Sequence, residues 1–382
     1  MTPYDVAVIG LGAMGSMTAL ELARRGTRVI GFDRHHPPHD FGSSHGKSRI
    51  IRQAYFEDPR YVPLVQRAFD QWQALERAAG RRLLVRCGGV MIGRPGGTLV
   101  SGARLSARVH GLECEELTAS SVEARWPMFR LGPDEVALFE PQAGVLQPEA
   151  AVEAALELAI RAGLVARFGE PVVGWDHSDP IRIRTATGAY SARRLVLALG
   201  PWMASALPGA ALPLRVARQT VFWYDTRARR SELGPDRMPV FLWEWEPGRC
   251  VYGFPDLGDG VKLAIHHEGQ ATTADTVHRE VGIREDEDIR AVLASRAPVL
   301  LGDGRTGGSV CLYTNTPDEH FIVDVHPDDD RVVLVSPCSG HGFKFAPAIG
   351  EAVADLCEGT RPSLDLSAFR LSRFPPSTAA GC

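Results

Sequence analysis

Residues 4–33 read YDVAVIGLGAMGSMTALELARRGTRVIGFD, and this stretch decides the fold. YDVAVI is a short apolar, β-branched run of the kind that forms a buried strand, while the alanines and leucines of SMTALELARRG recur at helical spacing. A second strand pattern, TRVIGFD, follows and ends on Asp33, so the segment predicts one βαβ unit of a parallel sheet. Between the first strand and the helix, Gly10, Gly12 and Gly15 form GxGxxG. The first glycine allows the tight turn and the second lets the backbone approach a pyrophosphate at the positive helix N-terminus. The third lets helix and strand pack closely, and Asp33 supplies a carboxylate for ribose hydroxyls. A bound dinucleotide is therefore expected. The motif suits FAD and NAD equally; the acid at position 33 speaks against NADP, although Arg34 follows it.

Outward from this unit, residues 58–80 predict a helix with Leu64, Phe69, Trp72 and Leu75 on one face. GGVMIG after Cys87 predicts a strand, and GLECEELTASSVEARWP a mixed segment. PEAAVEAALELAIRAG, from Pro148 to Gly163, predicts a second long helix. PVVGWDH and IRIRTATGAYSARRLVLALG then predict strands, the last of which resumes the first sheet. From Arg215 to Val310 the pattern changes to alternating, aromatic-rich runs (RQTVFWYD, VFLWEWEP, CVYGFP, VKLAIHH) that suit an antiparallel sheet with one covered face. FIVDV, RVVLVS and a helix from about Ala346 return to the buried pattern, so the domains interleave. The C-terminal PPSTAAGC looks loose.

The bulk composition narrows the functional classes. The chain has 382 residues, 45% hydrophobic and 23% charged, with a formal net charge of -4, which describes an ordinary soluble protein of two or three lobes. That charge leaves no footprint for nucleic acid or an anionic membrane surface. Seven scattered cysteines without a CxxC pair argue against a disulfide framework and against a metal site. Neither a signal sequence nor a run of about 18 apolar residues occurs, so the expectation is a cytoplasmic protein with reduced thiols acting on a small molecule.

Two further segments carry reactive residues. GSSHGKSRIIRQAYFE (42–57) contains His45, Arg49 and Arg52; arginines three apart would share a helical face and could meet an anionic ligand. Glu57 stands ready to balance either arginine. Downstream, CLYTNTPDEHFIVDVHP and SPCSGHGFKFAPAIG (311–350) hold Cys311, a glycine-bracketed His341 and an isolated Lys344 near a helix start. Taken singly these residues have plain readings: Cys311 as a small buried hydrophobe, His341 as a turn cap, Lys262 as a solvated lysine, His266 and His267 as one core and one surface residue.

Together, VIGLGAMGS, GSSHGKSRIIRQAYFEDPRYVPL, YGFP with VKLAIHHEGQ, and CLYTNTPDEHFIVDVHP with SGHGFKFAPAIGE resemble the flavin amine oxidases of the monomeric sarcosine oxidase and N-methyltryptophan oxidase family, within the D-amino acid oxidase-like superfamily. Their order and spacing fit along almost the whole chain. The resemblance implies an α/β fold with a discontinuous Rossmann-type FAD-binding domain (1–82, 146–214 and 321–382) and an antiparallel-sheet substrate and catalytic domain (83–145 and 215–320). It implies FAD bound covalently through Cys311 by the 8α-methyl group, with Ser43, His45, Arg49, Gly340, Gly342, Phe343 and Lys344 about the cofactor. Arg52 and Lys344 would hold a substrate carboxylate, and Lys262 would assist reaction with oxygen. Tyr252, Tyr313 and His266 would line the pocket. A helix starting near Phe345 would point its positive end at the flavin, favouring a negative charge there. Lys47 in place of an acidic residue, Ser44 in place of a second histidine, and Pro337-Cys338 depart from the pattern.

The expected reaction is oxidation of a secondary or N-methylated α-amino acid by oxygen, in a monomer, giving an imine that water hydrolyses and hydrogen peroxide. A bulkier cyclic or aromatic amine is the alternative, with Phe222–Tyr224 and Trp243–Trp245 as the aromatic surface for it. A nicotinamide-linked dehydrogenase and a non-catalytic ligand-binding protein are the readings from other classes.

Overall fold

The computed structural model describes residues 2–205 and 212–375; of the PPSTAAGC tail, all but Pro375 lies outside them. Two large sheets organise the chain. In the first, the strands Val165–Phe168, Val29–Asp33, Tyr4–Ile9, Ala189–Leu197 and Asp329–Ser336 lie parallel in that order. Val29–Asp33 and the apolar stretches 6–9, 195–197 and 332–336 are buried on both faces, as their continuous apolar runs require, while Val165–Phe168 at the edge is only partly covered. Ile322–His326 closes one side antiparallel to Asp329–Ser336. The first half of Ala189–Leu197 continues antiparallel into Ile181–Thr185 and then Val172–Asp176.

Helices Ala13–Arg24, Pro148–Arg161 and Ala346–Glu358 pack on one face of this sheet. Val62–Ala79 joins them, burying Leu64, Phe69, Trp72 and Leu75 as its periodicity predicts. Each such side chain contributes about 1.5–3 kcal/mol by leaving water.

Among the described residues the second sheet has nine strands, with Arg215–Tyr224, Val240–Glu246, Arg249–Phe254, Val261–His266 and Arg305–Asn315 at its centre. It is antiparallel apart from one link: Val240–Glu246 runs parallel to Gly89–Gly93, which ties residues before and after the helix Pro148–Arg161 into one layer. A small antiparallel sheet of Arg49–Ile51, Gly144–Leu146 and Leu84–Arg86 stands between the large ones.

Helices Thr98–His110 and Ile283–Leu293 form where composition gives little notice. The first contains Gly102, where a side chain would meet the Phe56 carbonyl oxygen at 2.2 Å. The second is mostly charged and buries only Ile289 and Leu293.

Candidate active site

One cavity of about 700 Å³ runs from the glycine loop to the second sheet. At its first end, the three glycines divide their tasks as their surroundings dictate. A Cβ on Gly15 would lie 1.7 Å from the Gly10 carbonyl oxygen, so that position packs the helix under the turn and does not face the cavity. At Gly12 a Cβ would meet only Ser44 Oγ, at 3.4 Å, and Gly12 faces the cavity. Asp33 lines the same end, but its carboxylate also has an internal task. Oδ2 accepts from the Leu11 amide at 2.9 Å and Oδ1 from the His35 amide at 2.9 Å, which fixes the loop against the end of the second strand. Ser44 Oγ accepts from the Ala13 amide at the helix start.

The middle of the cavity gathers Ser43, Ser48, Arg49, Lys262 and Cys311. Arg49 does not share a helical face with Arg52, as their spacing suggested: Arg49–Ile51 is a strand, because Ile50 and Ile51 pair with Val145 and Gly144. The Arg49 guanidinium turns back to donate to the Ser43 and Ser48 carbonyls. Lys262 is buried, and its Nζ donates to Gly46 O at 2.6 Å, Ser48 O at 3.0 Å and Ser48 Oγ at 3.1 Å. Burial, with Arg49 nearby, brings this ammonium down from its ordinary 10.5 to about 7.

Cys311 sits on Arg305–Asn315 opposite Gln219. Burial alone would raise its thiol; His45 beside it, then the charges of Arg49 and Lys262, bring it down to about 6. The other cysteine on the cavity wall, Cys338, is pushed up to about 11 by burial. His45 stands behind the wall, buried, and its Nε2 has no hydrogen-bond partner among the described residues.

At the far end are Arg52, Glu57, Tyr252, His266, Tyr313, Gly340, His341, Gly342, Phe343 and Lys344. Arg52 donates to Ala54 O at 2.9 Å and to both oxygens of Glu57, at 2.7 and 3.0 Å; Glu57 therefore balances Arg52 and not Arg49. Lys344 Nζ donates to His341 O at 2.7 Å and Tyr55 Oη at 3.4 Å. No carboxylate is paired with it among the described residues. Burial, with Arg52 adjacent, brings Lys344 down to about 7, against the pull of Glu57.

His341 is no simple turn cap: its ring bonds the buried Tyr55 hydroxyl and the Glu319 carbonyl. His266 Nδ1 is 3.2 Å from Tyr313 Oη, and burial, followed by His267 and His341, holds its pKa well below the ordinary value. The chain at Gly340 lies against both of these residues, in the left-handed conformation. Phe343 stacks on Trp72, and the short turn Phe343–Phe345 leads into the helix Ala346–Glu358.

Most of the aromatic surface expected from the second sheet does not line this cavity, although the Trp223 ring packs on its side of the sheet beside Lys262. Phe222, Tyr224 and Trp243 are fully buried in the core on the other side of their sheet. Alternation puts Val221, Leu242, Tyr252, Phe254 and Lys262 on the cavity side instead.

Carboxylates the motifs did not mark hold the central segment. Glu149, in the first turn of Pro148–Arg161, accepts from the amides of Gly46 and Lys47. Glu140 accepts from the amides of Gln53 and Ala54. Their signal in the sequence was only an acid near a predicted helix start and an acid in a strand.

The features of the cavity fit FAD: an open glycine turn at a helix N-terminus, a buried histidine nitrogen without a partner, and a lowered thiol beside it. Residues 5–356 match the family described as FAD dependent oxidoreductase. The chain is 41% identical to a monomeric sarcosine oxidase of Streptomyces avermitilis over 362 residues, covering 93% of this chain and 94% of that one. It is 36% identical to an N-methyl-L-tryptophan oxidase of Yersinia pestis over 373 residues, covering 97% and 99%. Among solved structures, that of NikD, described as an unusual amino acid oxidase essential for nikkomycin biosynthesis, superposes with a TM-score of 0.83 at 25% identity, covering 97% and 98%. The chain belongs to the FAD dependent oxidoreductase family.

Proposed function

We propose that this FAD-dependent oxidoreductase is an oxidase of secondary or N-methylated α-amino acids. The observation that carries the reading is the buried pair Arg52 and Lys344 at one end of the cavity, of which Lys344 has no paired carboxylate among the described residues. An ammonium in such a place is costly until an anion joins it. A substrate carboxylate seated between the two cations supplies that anion and fixes the amine's orientation. The names of the two relatives, a sarcosine oxidase and an N-methyl-L-tryptophan oxidase, point to the same substrate class.

The residues divide the work by environment. Arg52 and Lys344 bind the carboxylate and repel a protonated amine, so the amine is held as the free base. His266, kept neutral by burial and by the positive groups around it, offers the free amine an uncharged hydrogen-bonding ring, and the proton of the incoming ammonium is left in solvent. Tyr252, Tyr313 and Phe254 narrow the wall and exclude water from the reacting carbon. FAD, when bound, would accept the two electrons and one hydrogen taken from the carbon beside the nitrogen while the nitrogen loses its proton to form the imine, and oxygen would take up the two electrons and two protons and leave as hydrogen peroxide. Lys262 places a positive charge where negative charge on oxygen develops. The imine released takes up water and breaks into an amine and a carbonyl compound.

Cys311 is the proposed covalent anchor of the cofactor, supported by its lowered thiol and its place beside Arg49 and Lys262. Gly10, Gly12, Asp33, Ser43 and Arg49 line the remainder of the proposed cofactor site. Acid precipitation of the purified protein tests the anchor: the yellow colour stays with the pellet in wild type and in Cys338→Ser, and moves to the supernatant in Cys311→Ser. A peroxide assay across sarcosine, larger N-methyl amino acids, proline and pipecolate tests the substrate class. Turnover of simple amines equal to that of their carboxylated counterparts would remove the role of the cationic pair.

A further inference from the structure

The chain contains only three lysines, and all of them belong to this region: Lys47 on the loop before Arg49, Lys262 and Lys344. Lys262 is held by a loop that is itself strained. Gly46 and Lys47 both adopt positive φ, at 95° and 66°, and for a lysine that conformation carries a steric cost. A backbone in this state persists where its surroundings hold it. On one side of the loop, the Gly46 and Ser48 carbonyls accept hydrogen bonds from Lys262 Nζ. On the other, a single oxygen of Glu149, Oε1, accepts from the Gly46 amide at 2.7 Å and the Lys47 amide at 3.0 Å.

We propose that Glu149 is a positioning residue for Lys262: through the 46–48 turn it fixes the carbonyls that bind the ammonium, and its charge favours the protonated form of that amine. The peptide units of the turn are polarised from both ends, carboxylate to N–H and C=O to ammonium, so the two side chains support each other without touching. Glu149 is placed for this by the helix Pro148–Arg161, whose first turn favours an acid. The other groups facing Lys262 are Arg49 from the strand Arg49–Ile51, Cys311 from Arg305–Asn315 with His45 behind it, and the rings of Phe254 and Trp223. Arg49 opposes the charge on Lys262 and Glu149 favours it; Cys311 favours it only as a free thiolate, so in the flavin-loaded protein with Cys311 bonded to the cofactor Glu149 is the acid that does so. Lys47 lies over the same Trp223 ring but is paired with Asp259 at the surface.

The small number of lysines makes the test direct. Flavin-loaded protein grown with lysine labelled at the 13Cε carbon gives three lysine resonances, and Lys262→Met identifies the one of interest. In wild type that resonance titrates near neutral pH. Glu149→Gln keeps an acceptor oxygen for the two amides but removes the charge, and the midpoint is expected to fall by about one pH unit. Glu149→Asp restores the charge at shorter reach and recovers part of the shift. Glu149→Ala loses both and gives at least the shift of the glutamine variant. An unmoved Lys262 titration in both Glu149→Gln and Glu149→Ala would overturn the proposal.

A second measurement rests on the role proposed above for Lys262 in the reaction with oxygen. Reduction by substrate under argon stays within about twofold in Glu149→Gln, while reoxidation drops about tenfold at pH 8 and is unchanged at pH 5, following the loss of one pH unit. A moved resonance with unaltered reoxidation supports the positioning by Glu149 and refutes the oxygen role of Lys262, so the two failures are told apart.

Discussion

Replacing Lys344 with methionine should make the substrate-free protein more stable at neutral pH while weakening substrate binding. Bringing the buried ammonium from 10.5 to about 7 costs up to about 5 kcal/mol, at about 1.4 kcal/mol per pH unit. The sign follows from proton binding: between pH 7 and 10.5 the unfolded chain holds this proton and the folded protein does not, so stability rises with pH in that window. The penalty is therefore fully present at pH 7 and below, and absent above 10.5. Methionine removes it at all pH values. The same change strips the His341 carbonyl of the hydrogen bond it accepts at 2.7 Å, which costs about 1–3 kcal/mol whatever the pH. The balance is a gain of about 3 kcal/mol at pH 7 and a loss of about 2 kcal/mol above pH 10, crossing near pH 9. Thermal unfolding of the flavin-loaded wild type and Lys344→Met, followed from pH 6 to 10.5, reads this crossover. Loss of half of the proposed carboxylate clamp is expected to raise KM about 100-fold, the equivalent of about 2.7 kcal/mol. A variant less stable than wild type at every pH would show that burial does not penalise Lys344, and the case for a waiting anion site would fall with it.

The glycine loop offers a paired test. Gly15→Ala drives a Cβ to 1.7 Å from Gly10 O and should abolish flavin loading along with thermal stability. Gly12→Ala meets only Ser44 Oγ, so its apoprotein should keep the wild-type unfolding temperature and lose flavin alone, as judged by the ratio of visible to protein absorbance. Glu140→Gln weakens the hold on the Gln53 and Ala54 amides, and KM is expected to rise about tenfold; a change under twofold would assign Glu140 to stability only. Amine-reactive labelling of the native protein should mark Lys47, whose side chain is 58% exposed, and spare Lys262 and Lys344 until denaturation, as peptide mass spectrometry would show.

Much of the molecule was legible in its sequence because the governing constraints are local. A parallel βαβ unit needs an apolar run, a sharp turn and a helix of one-sided burial, and residues 4–33 spell these in order. The helix Val62–Ala79 and the strands of the second sheet announce themselves through period, for the same reason. The mixed segment after residue 111 and the helix Thr98–His110 were less visible, since Gly102 serves a packing contact with Phe56 that no local pattern encodes.

The partners within the site lay beyond sequence reading altogether. Arg49 became a strand residue because Gly144 and Val145, nearly a hundred positions away, pair with Ile51 and Ile50. Glu149 reaches Gly46 across 103 residues, and the aromatic strands faced the core because alternation alone does not say which side is which. The sequence by itself determined the cofactor class, the glycine turn proposed to receive it and the candidates for chemistry. Only the tertiary structure decided their protonation and pairing, because both depend on burial and on charges brought together from distant segments: lysines near 7, a thiol near 6, and Arg52 already held by Glu57.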